Sequence, residues 1–235
     1  LGGLPNVTPN LNRLASEGIL FTRTTASGDR SDKGIIAVLS GFPAQPTQSV
    51  IKYPTKSNKL PTISEVLYNQ GYSTAFYYGG DPDFANIRSF LYHAKFQRLI
   101  TQDDFPKSYR NSKWGVHDEH VFNYLLTDID SAKAPFFKMF FTLSSHEPFE
   151  IPAKPKFNGK TEVEQFLSSA YYADSCLGDF IAKAQQREWF KNTLIVLIAD
   201  HGHRHPANHP NWEPLKFGIP MVWLGGAVER KPMVV

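Results

Sequence analysis

Apolar and polar positions follow a helical period in some segments and a strand period in others. Residues 9–17 have the helical pattern, with Thr8 at the N-cap, Pro9 at the first helical position and Gly18 just beyond the end. Four further segments predict helices: 35–41, which Gly41 could end, 60–71, 118–130 and 161–185. Apolar, β-rich runs predict strands at 19–26, 72–78, 135–144, 193–200 and 219–226.

Helices and strands alternate along the whole chain, which is typical of an α/β fold. We expect a three-layer α/β/α sandwich, with a mostly parallel central sheet and helices on both faces. Residues 150–160 are rich in proline and lysine and predict a long loop, and no segment is typical of a linker. The sequence therefore predicts a single domain over residues 1–235.

Polar segments follow four of the predicted strands, at residues 27–34, 78–88, 144–150 and 199–205. In parallel sheets, binding and catalytic residues gather just beyond the carboxyl ends of the strands. Four polar segments in this position indicate a built site rather than chance.

Composition limits the classes of function. Hydrophobic residues make up 41% of the 235 residues and charged residues 20%, as in a globular protein. The formal net charge of +3 is small and evenly spread, which disfavours nucleic acid as a partner. The single cysteine, Cys176, excludes an internal disulfide, and no apolar run reaches the length of a membrane span.

The chain begins without methionine and without a leading strand. We therefore expect it to be a fragment of a longer protein, from which the first strand is missing.

Asp200 and His201 end the apolar run 194–199. A carboxylate and an imidazole at a strand end suit a divalent metal ion. Alternatively, Asp200 caps a following helix and His201 is merely solvated. Both interpretations stay open on the residues alone.

Ser31 lies where a helix is predicted to begin, a place where backbone N–H groups favour an anion. Its hydroxyl is either an N-cap, the commoner role for serine here, or a nucleophile whose pKa a metal lowers. The neighbouring Arg30 and Lys33 would suit an anionic substrate.

His146 directly follows the strongly apolar strand 135–144. It is either a loop histidine or a donor to a phosphoryl oxygen or leaving group. Asp81, Asn86 and Arg88 are likewise either turn and cap residues or contacts to a hydroxylated substrate.

Taken together, these segments resemble the sulfatase branch of the alkaline phosphatase superfamily, and within it the lipoteichoic acid synthase and phosphoglycerol transferase group. The resemblance runs in order through "TPNLNRLASEGILFTRTTASGDRSDKG", "LPTISEVLYNQGYSTAFYYGGDPDFANIRSF", "KWGVHDEHVF", "FFTLSSHEPFE", "YADSCLGDFI" and "LIVLIADHGH". It covers nearly the whole chain.

The resemblance implies an enzyme that transfers phosphoglycerol, or a related head group, between phosphodiesters of the bacterial cell envelope. It implies Ser31 as the nucleophile, which forms a covalent intermediate, and His146 as a second catalytic residue. The metal ligands would be Ser31, Asp200 and His201, with one Mn²⁺ or Mg²⁺ ion as cofactor. The implied substrate-binding residues are Arg30, Asp81, Asn86, Arg88, Trp114, His203 and His205.

The resemblance also implies an anionic phospholipid or glycerophosphate substrate. It implies an extracytoplasmic catalytic domain at a bacterial membrane, anchored by segments outside this chain.

Several departures keep alternatives open. The C/S-x-P-x-R motif of sulfate-ester hydrolases is absent, since Asp32, Lys33 and Gly34 follow Ser31, and this disfavours a sulfuric ester hydrolase. Ala85 replaces the tryptophan usual in the group, which leaves the head group open. The family's acidic metal ligand lies upstream of this chain. A phosphoethanolamine transferase, a phosphodiesterase and a non-catalytic envelope-binding domain are the other hypotheses.

Overall fold

The computed structural model describes residues 3–229 and 233–234. Over these residues the helices are α1 (Pro9–Glu17), α2 (Ser31–Ser40), α3 (Pro54–Ser57), α4 (Ile63–Asn69), α5 (Ile87–His93), α6 (Asp118–Asp130) and α7 (Glu162–Ala184). The strands are β1 (Ile19–Phe21), β2 (Ser73–Tyr78), β3 (Arg98–Ile100), β4 (Phe136–Phe141), β5 (Ile195–Ile198), β6 (Met221–Leu224) and β7 (Met233–Val234). The predicted loop at 150–160 contains neither helix nor strand.

One sheet is wholly parallel and has the strand order β3-β2-β4. Tyr77 of β2 is in register with Ile100 of β3, and Tyr78 with Phe141 of β4. The carboxyl ends of the three strands therefore lie at the same edge, where the polar segments after β2 and β4 begin.

The second sheet has the order β5-β6-β1-β7, with β6 antiparallel to both of its neighbours and β1 parallel to β7. The α/β class is confirmed, but the hydrogen-bonded pairing divides the sheet into two parts and one of them is mixed. The predicted strand 19–26 was too long, because β1 ends at Phe21 and Thr25 forms only an isolated antiparallel bridge with Gly218.

Two apolar cores cover the two faces of the parallel sheet. Ala75 and Tyr77 of β2 pack into a core with residues of α6 and α7. Phe76 and Tyr78, on the opposite face, pack with residues of α2 and α5. Because neighbouring strand residues point to opposite faces, this arrangement confirms the predicted helices on both faces.

The first of these cores also extends under the second sheet. Val222 and Leu224 of β6 belong to the same cluster as Tyr77 of β2, together with Ile181 of α7. Both sheets therefore rest on one helical layer, although no described hydrogen-bonded strand pair joins them.

Strands β4 and β5 each have one unpaired edge within the described residues, since β4 pairs with β2 alone and β5 with β6 alone. The face of the second sheet that points away from the shared core is also open. Four apolar side chains on and beside it are well exposed: Leu194 (47%), Val196 (45%), Ile198 (39%) and Trp223 (36%).

The predicted capping residues lie at the ends of their helices, but not all of them form the expected cap hydrogen bond. Thr8 is at the N-cap of α1, as predicted, but its side chain makes no cap hydrogen bond. Thr62 does cap α4, accepting a hydrogen bond from the Glu65 N–H (3.2 Å). Gly41 ends α2 in the left-handed conformation (φ 63°), which glycine adopts without strain.

The start of α1 is instead capped by Asp174, a buried residue of α7. Its carboxylate accepts hydrogen bonds from the backbone N–H groups of Asn10 (2.9 Å) and Leu11 (2.7 Å). A residue 164 positions away thus satisfies donors that the first turn of a helix leaves unpaired.

Among the residues that the structure describes, no helix combines the length and apolar character needed to cross a bilayer.

Replacing Asp174 by Asn should lower the free energy of unfolding by about 1–3 kcal/mol, because one of the two buried N–H groups loses its acceptor. Urea unfolding of the variant and of the wild-type chain measures the difference. The control is Asp179→Asn on the same helix, where the side chain is 57% exposed and pairs only with Lys183. Equal stability of the two variants would contradict the capping role.

Candidate active site

Ser31 is the first residue of α2, and Arg30 occupies the N-cap position. The interpretation of Ser31 as an N-cap is therefore wrong, and the predicted helix start at residue 35 was four residues late. The Ser31 hydroxyl oxygen instead lies 3.3 Å from Nε2 of His201. The hydroxyl is thus free of a structural role at the helix end and faces the other residues of the predicted metal set.

Asp200 and His201 lie just beyond β5, which ends at Ile198. The alternation of side chains along a strand therefore does not separate them, and the His201 N–H donates to Asp200 Oδ1 (3.0 Å). No helix begins at Asp200, since the next helical turn in the described chain starts at Pro214. This excludes the alternative in which Asp200 caps a helix.

The tautomer of His201 follows from its contacts. Its Nδ1 lies 2.7 Å from the carbonyl oxygen of Gly202, which can only accept, so Nδ1 carries the proton. In the neutral ring, Nε2 then has a free lone pair, 3.3 Å from Ser31 Oγ and 3.5 Å from Asp200 Oδ2. A carbonyl on one nitrogen and an open lone pair on the other is the usual arrangement of a metal-binding histidine.

The three donors fit a divalent ion in type and spacing. Ligands of one ion at metal–ligand distances of about 2.0–2.2 Å lie on the order of 3 Å from each other. Nε2 of His201 lies at about this separation from the Ser31 hydroxyl (3.3 Å) and from Asp200 Oδ2 (3.5 Å). Within the described residues, however, no three His, Cys, Asp or Glu side chains gather to form a metal site. The role of Asp200 and His201 as metal ligands therefore stays a prediction.

Gly34 allows α2 to approach the end of β5. A Cβ atom at this position would lie 2.5 Å from the carbonyl oxygen of Asp200 and 2.7 Å from its Cβ. Since real Cβ atoms do not come this close to backbone, any other residue would force the helix away. The distance between Ser31 and His201 thus depends on a glycine three residues after Ser31.

His146 lies in the turn that follows β4 and is exposed to solvent. Its Nδ1 is 3.0 Å from the carbonyl oxygen of Glu147, which assigns the proton to Nδ1 and leaves Nε2 free in the neutral ring. The Trp114 ring packs edge-on against the imidazole, with centroids 4.6 Å apart, and its indole N–H donates to the same carbonyl. Trp114, to which the resemblance gave a substrate-binding role, thus supports His146.

Asp81 and Asn86 lie in the segment after β2, and Arg88 is the second residue of α5; all three are exposed. Arg88 is held by a two-pronged ion pair with Asp83 (2.6 and 3.1 Å). Asn86 has positive φ (60°), and its side-chain amide donates to the Ile51 carbonyl (3.4 Å). None of the three forms a hydrogen bond with Ser31 or His201 in the part of the chain described, so their substrate contacts stay a prediction.

The same loop is nevertheless connected to His146 through aromatic rings. The ring of Phe84 lies 5.5 Å from that of Trp114, and Trp114 packs on His146. The segment after β2 and the segment after β4 are therefore connected through Trp114, at the edge that the parallel strands share.

The loop after His201 is tied down by both charge and aromatic packing. Arg204 reaches Glu147 (2.9 Å), next to His146, and also pairs with Glu162 at the start of α7. The His203 ring stacks on Phe166 with centroids 4.3 Å apart. Burial, together with the neighbouring positive charges, lowers the pKa of His203 to about 4, so the ring is neutral at pH 7.

These contacts favour a structural role for His203, although its predicted contact with substrate stays untested. Nε2 of His205 lies 3.6 Å from Oε2 of Glu162. Arg30 is exposed beside Ser31 and can reach an anionic ligand, whereas Lys33 is engaged with Asp29 at 3.0 Å.

Two residues that shape the site were missed from the sequence. Gly34 carries a signal in hindsight, because a glycine in the first turn of an apolar helix costs about 1 kcal/mol relative to alanine and needs a reason. Arg204 has no such signal in the sequence. Its partners Glu147 and Glu162 are distant from it in sequence, and no local pattern indicates that they form ion pairs with it.

Comparison with known proteins agrees with this geometry. The profile of the sulfatase family matches residues 1–233. The chain therefore belongs to the sulfatase family, and the prediction of an enzyme of the alkaline phosphatase superfamily is confirmed.

Among curated proteins, the chain is similar to lipoteichoic acid synthase-like proteins and phosphoglycerol transferases. The chain is 25% identical over 205 residues to the lipoteichoic acid synthase-like protein YvgJ of Bacillus subtilis, covering 83% of this chain and 33% of that protein. It is 27% identical over 214 residues to phosphoglycerol transferase I of Citrobacter koseri, covering 84% of this chain and 28% of the relative. The chain thus spans about a third of the length of the curated relatives it matches.

Among solved structures, a protein in the alkaline phosphatase superfamily from Vibrio parahaemolyticus superimposes with a TM-score of 0.88 at 33% identity. The match covers 98% of this chain and 57% of that one. The predicted alkaline phosphatase-like fold is therefore confirmed.

Replacing Gly34 by Ala should lower the free energy of unfolding by about 1–3 kcal/mol, because the added methyl group overlaps Asp200. The expected sign is informative, since alanine in an unobstructed helix would instead stabilise by about 1 kcal/mol. Urea unfolding measures the change. Ser40→Ala in the last turn of α2 is the control and should not destabilise the chain, because the Ser40 hydroxyl is buried without a hydrogen-bond partner. A stabilised Gly34→Ala variant would contradict the close approach of α2 to β5.

Proposed function

We propose that the chain is the catalytic part of an enzyme that transfers phosphoglycerol, or a related phospho head group, between phosphodiesters of the cell envelope. The proposal rests on the family, on the phosphoglycerol transferases and lipoteichoic acid synthase-like proteins among its relatives, and on the site around Ser31. A plain phosphodiesterase or a phosphoethanolamine transferase would use the same residues and differ in the head group or the acceptor.

The observation that carries the proposal is the position of the Ser31 hydroxyl. It stands at the start of a ten-residue helix, makes no cap hydrogen bond and lies 3.3 Å from Nε2 of His201. Backbone N–H groups and the dipole of α2 favour a phosphate group at this helix end. The exposed Arg30 adds a positive charge beside it.

In the proposed reaction, the Ser31 hydroxyl gives its proton to water and its Oγ attacks the phosphorus of a phosphodiester. A bond between Oγ and phosphorus forms, while the bond from phosphorus to the leaving alcohol breaks. His146, in its imidazolium form, donates the proton on Nε2 to the departing oxygen, or it holds the head group. A second alcohol, or water, then attacks the phosphorus, and Ser31 takes up a proton as it leaves.

Mn²⁺ or Mg²⁺, held by Ser31, Asp200 and His201, would lower the pKa of the Ser31 hydroxyl and neutralise phosphate charge.

The proposed substrate is an anionic phospholipid or a glycerophosphate, and the proposed location is outside the cytoplasm at a bacterial membrane. Both follow from the relatives' names and from the resemblance of the motifs. Membrane attachment would come from segments outside this chain.

We further propose that an additional strand, ending in an acidic metal ligand, fits between β4 and β5. The unpaired edges of these two strands support this, because both strands rest on the shared core and could accept a neighbour. A strand beside β5 would end next to Asp200, where two ligands and a hydroxyl leave a coordination shell incomplete.

Ser31→Ala in the whole protein should reduce kcat on the order of 10⁴-fold or more, because no other described hydroxyl takes its place. Hydrolysis of bis(4-nitrophenyl) phosphate, or release of labelled head group from phosphatidylglycerol, measures the rate. Ser31→Thr retains a hydroxyl and should retain activity. Wild-type activity in the alanine variant would rule out the covalent mechanism.

Mass spectrometry of the trapped Ser31 adduct separates the head groups, since glycerol phosphate and ethanolamine phosphate differ in mass.

Calorimetric titration of the 235-residue chain with Mn²⁺ should show binding weaker than micromolar, because no three His, Cys, Asp or Glu side chains gather among the described residues. The whole protein should bind more tightly, and Asp200→Asn should abolish the difference. Micromolar or tighter binding by the chain alone would contradict the missing ligand.

A further inference from the structure

Asp118, the first residue of α6, has a carboxylate buried completely in the protein. It accepts hydrogen bonds from the backbone N–H groups of Leu143 (2.7 Å) and Ser144 (3.1 Å). In return, the N–H of Asp118 donates to the Ser144 hydroxyl (2.9 Å). Three hydrogen bonds thus join the start of α6 to the segment that leaves β4.

A carboxylate in this place is costly. Burial raises the pKa of Asp118 to about 6, against the opposing effect of the N–H groups of Leu143 and Ser144. Within the described residues Asp118 forms no ion pair that would offset its desolvation. The two backbone N–H groups that donate to it stabilise its charged form in this place.

The segment that Asp118 holds leads directly to His146. The His146 N–H donates to the carbonyl oxygen of Leu143 (3.0 Å), and the Phe149 N–H donates to the carbonyl of His146 (2.8 Å). Asp118 therefore binds the backbone N–H groups of Leu143 and Ser144. The carbonyl of Leu143 in turn accepts the hydrogen bond from the His146 N–H. The turn has little freedom to move while the carboxylate is in place.

A second support comes from the same motif, four residues earlier. The Trp114 ring packs on the His146 imidazole, and its N–H donates to the Glu147 carbonyl. Trp114 thus contacts the imidazole ring of His146, whereas Asp118 binds the backbone of the segment that precedes His146.

We propose that Asp118 is a positioning residue for His146, acting through Leu143 and Ser144. The inference rests on the proposed function, in which His146 contacts the substrate. Without the carboxylate, the turn after β4 would lose its acceptors, and the His146 imidazole would spend less time in the reactive position.

A purely structural role for Asp118 is the alternative, and the chain contains a matched control. Asp174 is also a buried aspartate that accepts two backbone N–H groups, but it caps α1 and touches no residue of the site. Both substitutions to Asn leave one N–H without an acceptor, so both should lower stability.

The test is a double-mutant cycle in the whole protein with bis(4-nitrophenyl) phosphate as substrate. We expect His146→Ala to lower kcat by about 10²–10⁴-fold. Asp118→Asn should lower kcat by about 10–100-fold, the range seen for residues that orient a functional histidine. In the His146→Ala background, Asp118→Asn should cost nothing further. Asp174→Asn should leave kcat unchanged.

A rate for the double variant equal to the product of the single losses would overturn the proposal, as would an unchanged kcat in Asp118→Asn. Hydrogen–deuterium exchange provides a readout that does not need activity. Asp118→Asn should accelerate exchange in peptides covering residues 143–149, whereas Asp174→Asn should accelerate it in α1 only. Unaltered exchange at 143–149 would also overturn the proposal.

Failure of the proposed function is seen separately, as activity that survives Ser31→Ala. In that event the exchange experiment still decides whether Asp118 holds the turn.

Discussion

Burial of one apolar core fixes the relative positions of the site residues. The two sheets have no described hydrogen-bonded pair between them, yet both pack on the layer formed by α6 and α7. His146 belongs to one sheet through β4, and His201 belongs to the other through β5. Hydrophobic contact is non-directional, so it brings the two halves together without setting atomic distances. Two specific contacts then help to set the distances between the site residues. They are the close packing of Gly34 against Asp200 and the ion pair between Arg204 and Glu147.

The elements that the sequence predicted best are those whose local signals agree. The strand 72–78 and the helix 161–185 were placed within a residue or two, because apolar periodicity, caps and turn residues all indicate the same bounds. The antiparallel direction of β6 was missed, since an apolar strand has the same composition in either direction. Strand β3 and helix α5 were missed as well, because they are short and their positions depend on β2 and its core.

Candidate catalytic and metal-binding residues were easier to find in the sequence than the residues that hold them in position. Asp200 and His201 are adjacent in sequence, and Ser31 stands near a helix start, so their residue types left a metal site and a nucleophile open as alternatives, and the resemblance to the family then favoured them. Asp118 and Ser144 are 26 positions apart, and only the folded chain brings them together. The cap of α1 shows the same limit, because Thr8 is the local candidate while Asp174, far along the chain, makes the bonds.

The open edges of β4 and β5 have a consequence for the chain in isolation. An unpaired strand with exposed apolar neighbours is a template for any extended peptide, including the same edge of another copy. Val196 and Ile198 lie along such an edge, and no described charge interrupts them within β5. This open edge, with its exposed apolar neighbours, is therefore a surface through which copies of the chain would pair with one another.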